Sequence, residues 1–129
     1  MEKQIIQHRE GDTRFSTEAQ MQEAMAKWFW NVIGEPYRRM LYHVNNNSTG
    51  GVRGAQNKSL GVVKGVADMT FISFGEVIFI ENKLPGGAQS PEQIDFMNKV
   101  LERGHRYVLC YSFEGFKNFI YTEINKHEQ

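Results

Sequence analysis

The clearest hydrophobic rhythm in the chain lies between residues 16 and 33. At about 100° per residue, Met21, Met25, Trp28, Phe29, Val32 and Ile33 fall on one side of a helix. Ser16 or Thr17 can cap it, Thr17 with Gln20 matches a capping box, and Gly34 followed by Pro36 stops it. Residues 38–44 read as a strand with Met40, Tyr42 and Val44 on one face. The rhythm is then lost. Residues 45–58, opening Asn-Asn-Asn-Ser-Thr-Gly-Gly, form a loop of a length that is uncommon in compact domains unless functional or disordered. Residues 68–73 and 76–83 give two strands joined by Phe74-Gly75 in a tight hairpin. Ser90-Pro91-Glu92-Gln93 starts a second helix, with serine as cap, proline at the first helical position and Gln93 completing a capping box; Arg103-Gly104 ends it. Residues 106–111 are an apolar strand covered on both faces. A last helix over 113–124 supplies Phe116, Phe119 and Ile120 to the core.

The order helix, strand, long loop, hairpin, helix, strand, helix predicts an α/β fold with a mixed sheet between helices. Residues 1–15 are polar and are expected to be a frayed or weakly docked extension. Residues 16–125 should form a single domain and 126–129 a tail. At 129 residues and 40% hydrophobic, the chain can bury a core without staples.

No apolar run approaches the ~18 residues of a membrane span, and the N-terminus carries no signal-peptide stretch. A lone cysteine, Cys110, sits in the apolar run 107–111 and reads as a buried small hydrophobe. These features place the protein in the cytoplasm, with no membrane partner. The four histidines, His8, His43, His105 and His127, show no ligand spacing and read as structural or surface residues. The formal net charge of zero argues against a nucleic-acid partner, but its distribution does not. Between Pro36 and Ala67 no residue is acidic, while Arg38, Arg39, Arg53, Lys58 and Lys64 are basic. Such a segment can attract phosphates on a neutral protein, although a solvated basic loop fits the same charges.

The candidate chemistry lies in Gly65-Val66-Ala67-Asp68 and Phe79-Ile80-Glu81-Asn82-Lys83. Strand alternation points Glu81 and Lys83 to one face, with Val77 and Phe79. If Phe74-Gly75 is a two-residue loop, Asp68 stands opposite Glu81, and facing Cβ atoms lie about 4.5–5.5 Å apart. Two carboxylates at that distance repel unless a cation or a shared proton lies between them. Hard oxygen ligands without clustered His or Cys favour Mg²⁺ or Mn²⁺. Such a site suits phosphodiester hydrolysis, with Lys83 orienting the attacking water and stabilising charge rather than serving as the base. The same spacing also fits a salt-bridge cluster at a strand end.

These segments resemble the PD-(D/E)XK nuclease superfamily and, within it, the virus-type replication-repair nuclease domain, VRR-NUC. The similarity rests on G-V-x-K-G-V-A-D at 61–68, F-I-E-N-K at 79–83, S-P-E-Q at 90–93 and G-H-R-Y-V-L at 104–109, in the family's order. It covers residues 18–120. Two positions depart from the pattern: Ala67 stands where the family often has proline, and Asn82 where an apolar residue is common. The resemblance implies a restriction-endonuclease-like core and a divalent-metal-dependent endonuclease. Asp68, Glu81 and the backbone carbonyl of Asn82 would be the metal ligands, and Glu81, Lys83 and Asp68 would be catalytic. It also implies one further acid on the first helix. Glu18 lies within about 20° of Met25 and Phe29 and Glu23 about 140° away, which selects Glu18, though a first-turn acid also suits the helix dipole. Gln93 matches a family glutamine, and its capping role explains it nearly as well. Asn47, Arg53, Lys58 and Lys64 are candidates to grip the DNA backbone, the asparagines being possible turn formers too. Stand-alone members resemble phage enzymes acting on branched or Holliday-junction DNA, and with one site per chain paired cuts would need a homodimer. A catalytically silent nucleic-acid-binding module on the same fold is the rival reading, and an unrelated binding protein with surface salt bridges is a third.

Overall fold

The computed structural model describes residues 2–9, 12, 15–45 and 51–128. Strands β1 (Gln4–Ile6), β2 (Leu41–His43), β3 (Met69–Ser73), β4 (Glu76–Asn82) and β5 (Arg106–Cys110) form one sheet in the order β1-β5-β4-β3-β2. The β1, β5 and β4 strands run parallel, while β4, β3 and β2 are antiparallel. Helices α1 (Glu18–Trp28), α2 (Gly51–Ser59), α3 (Pro91–Glu102) and α4 (Phe113–Asn125) accompany it, with a π-helical turn over Phe29–Ile33 and a 3₁₀ turn over Arg38–Met40.

The predicted mixed sheet is present, and it is covered on both faces. On one face Met21, Met25 and Phe29 of the first helical segment and Phe116, Phe119, Ile120 and Ile124 of α4 pack on Phe71, Ile78, Ile80 and Val108. On the other, Met97 and Val100 of α3 meet Ala67, Tyr107 and Leu109, with Phe79 and Phe96 against them. Helices on both sides explain why β4 and β5 read as continuous apolar runs rather than alternating ones. The Phe74-Gly75 hairpin has Ser73 paired with Glu76 and Met69 with Ile80, the register expected from a two-residue loop.

The helix starts are as predicted in kind. Thr17 accepts from the Gln20 backbone, and Gln20 accepts from Ser16 N–H rather than from Thr17 itself, so the reciprocal contact is displaced by one residue. Ser90 and Gln93 form the full capping box of α3. Cys110 is fully buried, and burial pushes its thiol up to about 12, as suits an inert core residue.

Four sequence expectations are corrected. Residues 29–33 are a π-helical turn, and its wider i→i+5 pitch breaks the 100° rhythm, so Val32 is exposed although Phe29 is buried. Residues 38–40 are a 3₁₀ turn, and only 41–43 are extended; Leu41 is buried and Tyr42 exposed, the reverse of the predicted face. Residues 51–58 of the predicted loop belong to α2, a helix that buries no side chain, which is why no apolar stripe announces it. The N-terminal segment is not frayed at residues 4–6: β1 pairs with β5 and buries Ile6. Only one side chain of this three-residue edge strand is buried, too short a pattern for alternation to register. Asp12, also buried, accepts from Ser112 Oγ (2.6 Å) and from Glu114 N–H (3.2 Å), tying the segment to the start of α4.

Candidate metal centre

The hairpin register places Asp68, one residue before β3, beside Glu81, and the side-chain contacts agree. Asn82 N–H donates to Asp68 Oδ2 at 2.9 Å. The carbonyl of Asn82 shares that edge of the strand with its N–H, so it faces the Asp68 side as well. Glu81 is fully buried on the α3 face and Lys83 nearly so. Gln93 Nε2, reaching down from α3, donates to Glu81 Oε2 at 3.0 Å, while Gln93 Oε1 accepts from Ser90 N–H at 2.8 Å. The capping role and the site role of Gln93 are thus held simultaneously by the two ends of one amide.

Glu81 Oε1 is buried with no hydrogen-bond partner. A buried carboxylate oxygen left unpaired is costly. Burial, then the neighbouring Asp68 carboxylate, push the Glu81 carboxyl up to about 9; Lys83 draws it down and Glu18 adds to the rise. Burial, with Glu81 and Asp68, also raises the Tyr107 phenol, whose oxygen accepts from Gln89 at 3.2 Å. Among the described residues no group of three or more His, Cys, Asp and Glu side chains is arranged as a metal cluster. The donor set is two carboxylates plus a backbone carbonyl. That set fits Mg²⁺ or Mn²⁺, which bind through one or two carboxylates and keep several waters. The orphaned Glu81 oxygen beside a second carboxylate fits a cation better than it fits a structural salt bridge.

The other predicted residues are placed as follows. Glu18 opens α1, is exposed, and lines a cleft of about 400 Å³ with Ala19, Gln22, Glu23, Ala26, His43 and Asp68. Glu23 lines it too, but its carboxylate lies 2.8 Å from Lys27 Nζ. Glu18, not Glu23, is among the charges acting on Glu81. Arg53 and Lys58 are exposed on α2. Lys64 lies 3.7 Å from Glu92 at the start of α3, a pair exposed on both sides. Asn47 lies outside the described residues. Gln22 and His43, which the sequence reading did not single out for the site, line the same cleft. Gln22 lies four residues after Glu18, one turn along the same face, and that spacing could have found it.

Gly65 sets the approach to Asp68. Its φ is +90°, and a Cβ there would meet the Glu92 backbone at 2.6–2.7 Å, so this glycine lets the segment before Asp68 lie against the start of α3. Gly75, at φ +77°, faces open space. Gly65→Ala should therefore lower stability by about 3 kcal/mol or more, strain and clash together, and Gly75→Ala by about 1–2 kcal/mol from strain alone. Urea denaturation of both variants checks this; equal losses would mean that the α3 contact is loose.

Compared by sequence, no protein-family model and no curated protein matches the chain. Compared by fold, it is similar to a solved structure described as a VRR_NUC domain protein, with a TM-score of 0.67 and 19% identity, over 88% of this chain and 92% of that one. The architecture, a five-stranded mixed sheet flanked by helices, is therefore a restriction-endonuclease-like α/β fold of the VRR-NUC kind. No helix among the described residues is long and apolar enough to cross a membrane.

Proposed function

We propose that this protein is a divalent-metal-dependent nuclease that hydrolyses phosphodiester bonds in DNA. The observation that carries the reading is the buried Glu81 carboxylate, with one oxygen unpartnered and Asp68 alongside. The fold likeness to a VRR_NUC domain protein supports it. Asp68, Glu81 and the Asn82 carbonyl would hold Mg²⁺ or Mn²⁺. When bound there, such a cation acidifies a water and offsets charge that builds on the phosphate.

The chain's own residues supply the rest. Gln93 holds Glu81 Oε2 and leaves the buried Oε1 without a hydrogen-bond donor. Asn82 N–H fixes the rotamer of Asp68. Lys83, its stem against Gly87, brings a positive charge to Glu81 and is suited to orient the attacking water and to stabilise the phosphorane-like charge. Glu18 lines the cleft with Asp68, where it can accept a hydrogen bond from a water approaching that residue. The decisive experiment is incubation with junction, flap, nicked, single-stranded and linear duplex DNA, with Mg²⁺ or Mn²⁺ and with chelator. Chelator-sensitive cleavage is expected, with branched DNA cut best by a homodimer. Activity that survives chelator removes the metal reading, and a fully active monomer by light scattering removes the dimer. Salt-dependent DNA binding with no cleavage would favour a silent binding module instead.

Substrate affinity is assigned to the basic segment. Replacing Arg53, Lys58 and Lys64 together by alanine should weaken DNA binding about uniformly across sequences and reduce the slope of log affinity against log salt by up to about 3. An unchanged slope in a fluorescence-anisotropy salt titration would take this segment out of the interface.

A further inference from the structure

Asp68 lies one residue before β3, and it is held there from both neighbouring strands. On the β4 side its Oδ2 accepts from Asn82 N–H at 2.9 Å. On the β2 side its carbonyl accepts from Val44 N–H at 3.0 Å, and His43 Nδ1 lies 2.9 Å from the same oxygen. A carbonyl oxygen only accepts, and it has two lone pairs, so the ring hydrogen is on Nδ1 and the oxygen takes both bonds. The side-chain amide of Gln22, on α1, lies 2.8 Å from Nδ1. With the hydrogen on Nδ1, the amide oxygen meets the ring and shares that hydrogen, and the NH₂ turns to Asn82. The Gln22 and Asn82 amides meet at 3.3 Å, a contact that survives turning both of them over. Asn82 is fully buried, and the other atom of its amide has no hydrogen-bond partner. Gln22 is therefore what anchors that side chain.

We infer that Gln22 and His43 are a pair of positioning residues for the metal, His43 steadying Asp68 through its carbonyl and Gln22 steadying Asn82 through its side chain. This rests on the metal centre of the nuclease reading above, where Asp68 and the Asn82 carbonyl are two of the ligands. Each of the two is held by one member of the pair, and the pair is itself joined at Nδ1, so the spacing between the ligands is fixed from α1. Ligands that must converge on a small cation lose affinity when the groups behind them no longer hold them in place. A His43 that only stitched β2 to β3 would show in stability instead, with metal affinity unmoved.

The test uses Gln22→Leu, His43→Leu, their double variant and His43→Asn in the full chain. Mn²⁺ affinity is read by calorimetry below the melting temperature of each variant in EDTA, and cleavage is followed at graded Mn²⁺. Leucine keeps bulk and removes the hydrogen bonds. Each single leucine variant should bind Mn²⁺ about tenfold more weakly and need about tenfold more Mn²⁺ for half-maximal cleavage, with kcat largely restored at saturation. The double variant should lose little more than the worse single one, because both act through one chain of contacts. His43→Asn, whose amide N–H can reach the Asp68 carbonyl from near the place of Nδ1, should recover most of the affinity. Mn²⁺ affinity unchanged in both single variants, losses that add in full in the double variant, or His43→Asn no better than His43→Leu would overturn the pairing. If His43→Leu does not fold, Gln22→Leu decides, since unchanged Mn²⁺ affinity there overturns it as well. Wild-type protein that binds Mn²⁺ but never cuts DNA would sink the nuclease reading, whereas the calorimetric comparison would still decide the pair; wild type that binds no Mn²⁺ sinks both.

Discussion

Asp68→Ala and Glu81→Ala are each expected to lose DNA cleavage by at least about 10³-fold and to lose Mn²⁺ binding with it, whereas Lys83→Ala loses cleavage to a similar degree and keeps the metal. Each alanine at 68 or 81 removes one of only two carboxylates from the donor set, and a cation with so few anionic ligands has nothing to fall back on. Lys83 brings positive charge against Glu81, so removing it leaves the carboxylates more available to a cation. Mn²⁺ affinity in Lys83→Ala should therefore equal or slightly exceed that of wild type. The stabilities should divide differently. Without metal, each alanine at 68 or 81 removes one of two carboxyl groups that cannot both ionise in place, and the variant should melt higher than wild type near pH 8. Lys83→Ala loses the countercharge and the packing of its stem against Gly87, and should melt lower. Calorimetric Mn²⁺ titration beside a cleavage assay separates these roles. If Lys83→Ala lost metal as completely as Glu81→Ala, or if Asp68→Ala still cut DNA, the assignment of ligands would be wrong.

Glu81→Gln should stabilise the metal-free protein by an amount that grows with pH. Burial and Asp68 raise the Glu81 carboxyl to about 9 from its usual 4.5. At pH values below about 4.5 the group is neutral in both folded and unfolded chains and makes no difference. As pH rises from there toward 9, the unfolded chain releases a proton that the folded one retains, so wild type progressively loses stability. Glutamine carries no such proton, keeps an oxygen for Gln93 Nε2, and offers an N–H to Asp68. In EDTA the melting temperatures of the two proteins should be close near pH 5 and separate by about 5 °C or more near pH 8. Saturating Mn²⁺ should close or reverse the gap, because the cation takes the place of the proton in wild type and not in the glutamine variant. A gap that is the same at pH 5 and pH 8 would mean that Glu81 titrates normally and that the buried carboxylate is compensated by another group.

Much of the site was legible because hairpin register is a local property. Once Phe74-Gly75 is recognised as a two-residue turn, the facing of Asp68 and Glu81 follows by counting, and strand alternation puts Lys83 on the face of Glu81. The Thr17 cap, the capping box at Ser90 and the glycine stop after α3 were legible for the same reason, since each is satisfied within a few residues of chain. Periodicity also gave the apolar faces of α1 and α4, because a helix buried along one stripe must show that stripe in its sequence.

What depended on contacts far apart in sequence was not legible. No spacing reveals that β1 adds to the sheet beside β5, because a parallel partner some hundred residues away leaves no local signature in three residues. Nor does the sequence show α2, whose helix buries nothing, or the π turn that swings Val32 into solvent. The burial of Glu81, and with it the unpartnered oxygen on which the metal reading rests, arises only when α3 closes over β4 and β5 and removes water from a carboxylate that an isolated hairpin would leave hydrated. Local pattern named the residues that could bind a cation and the hairpin register that brings two of them face to face. The tertiary structure alone decided how dry that pair is, and dehydration is what turns two neighbouring carboxylates into a site that demands a positive charge.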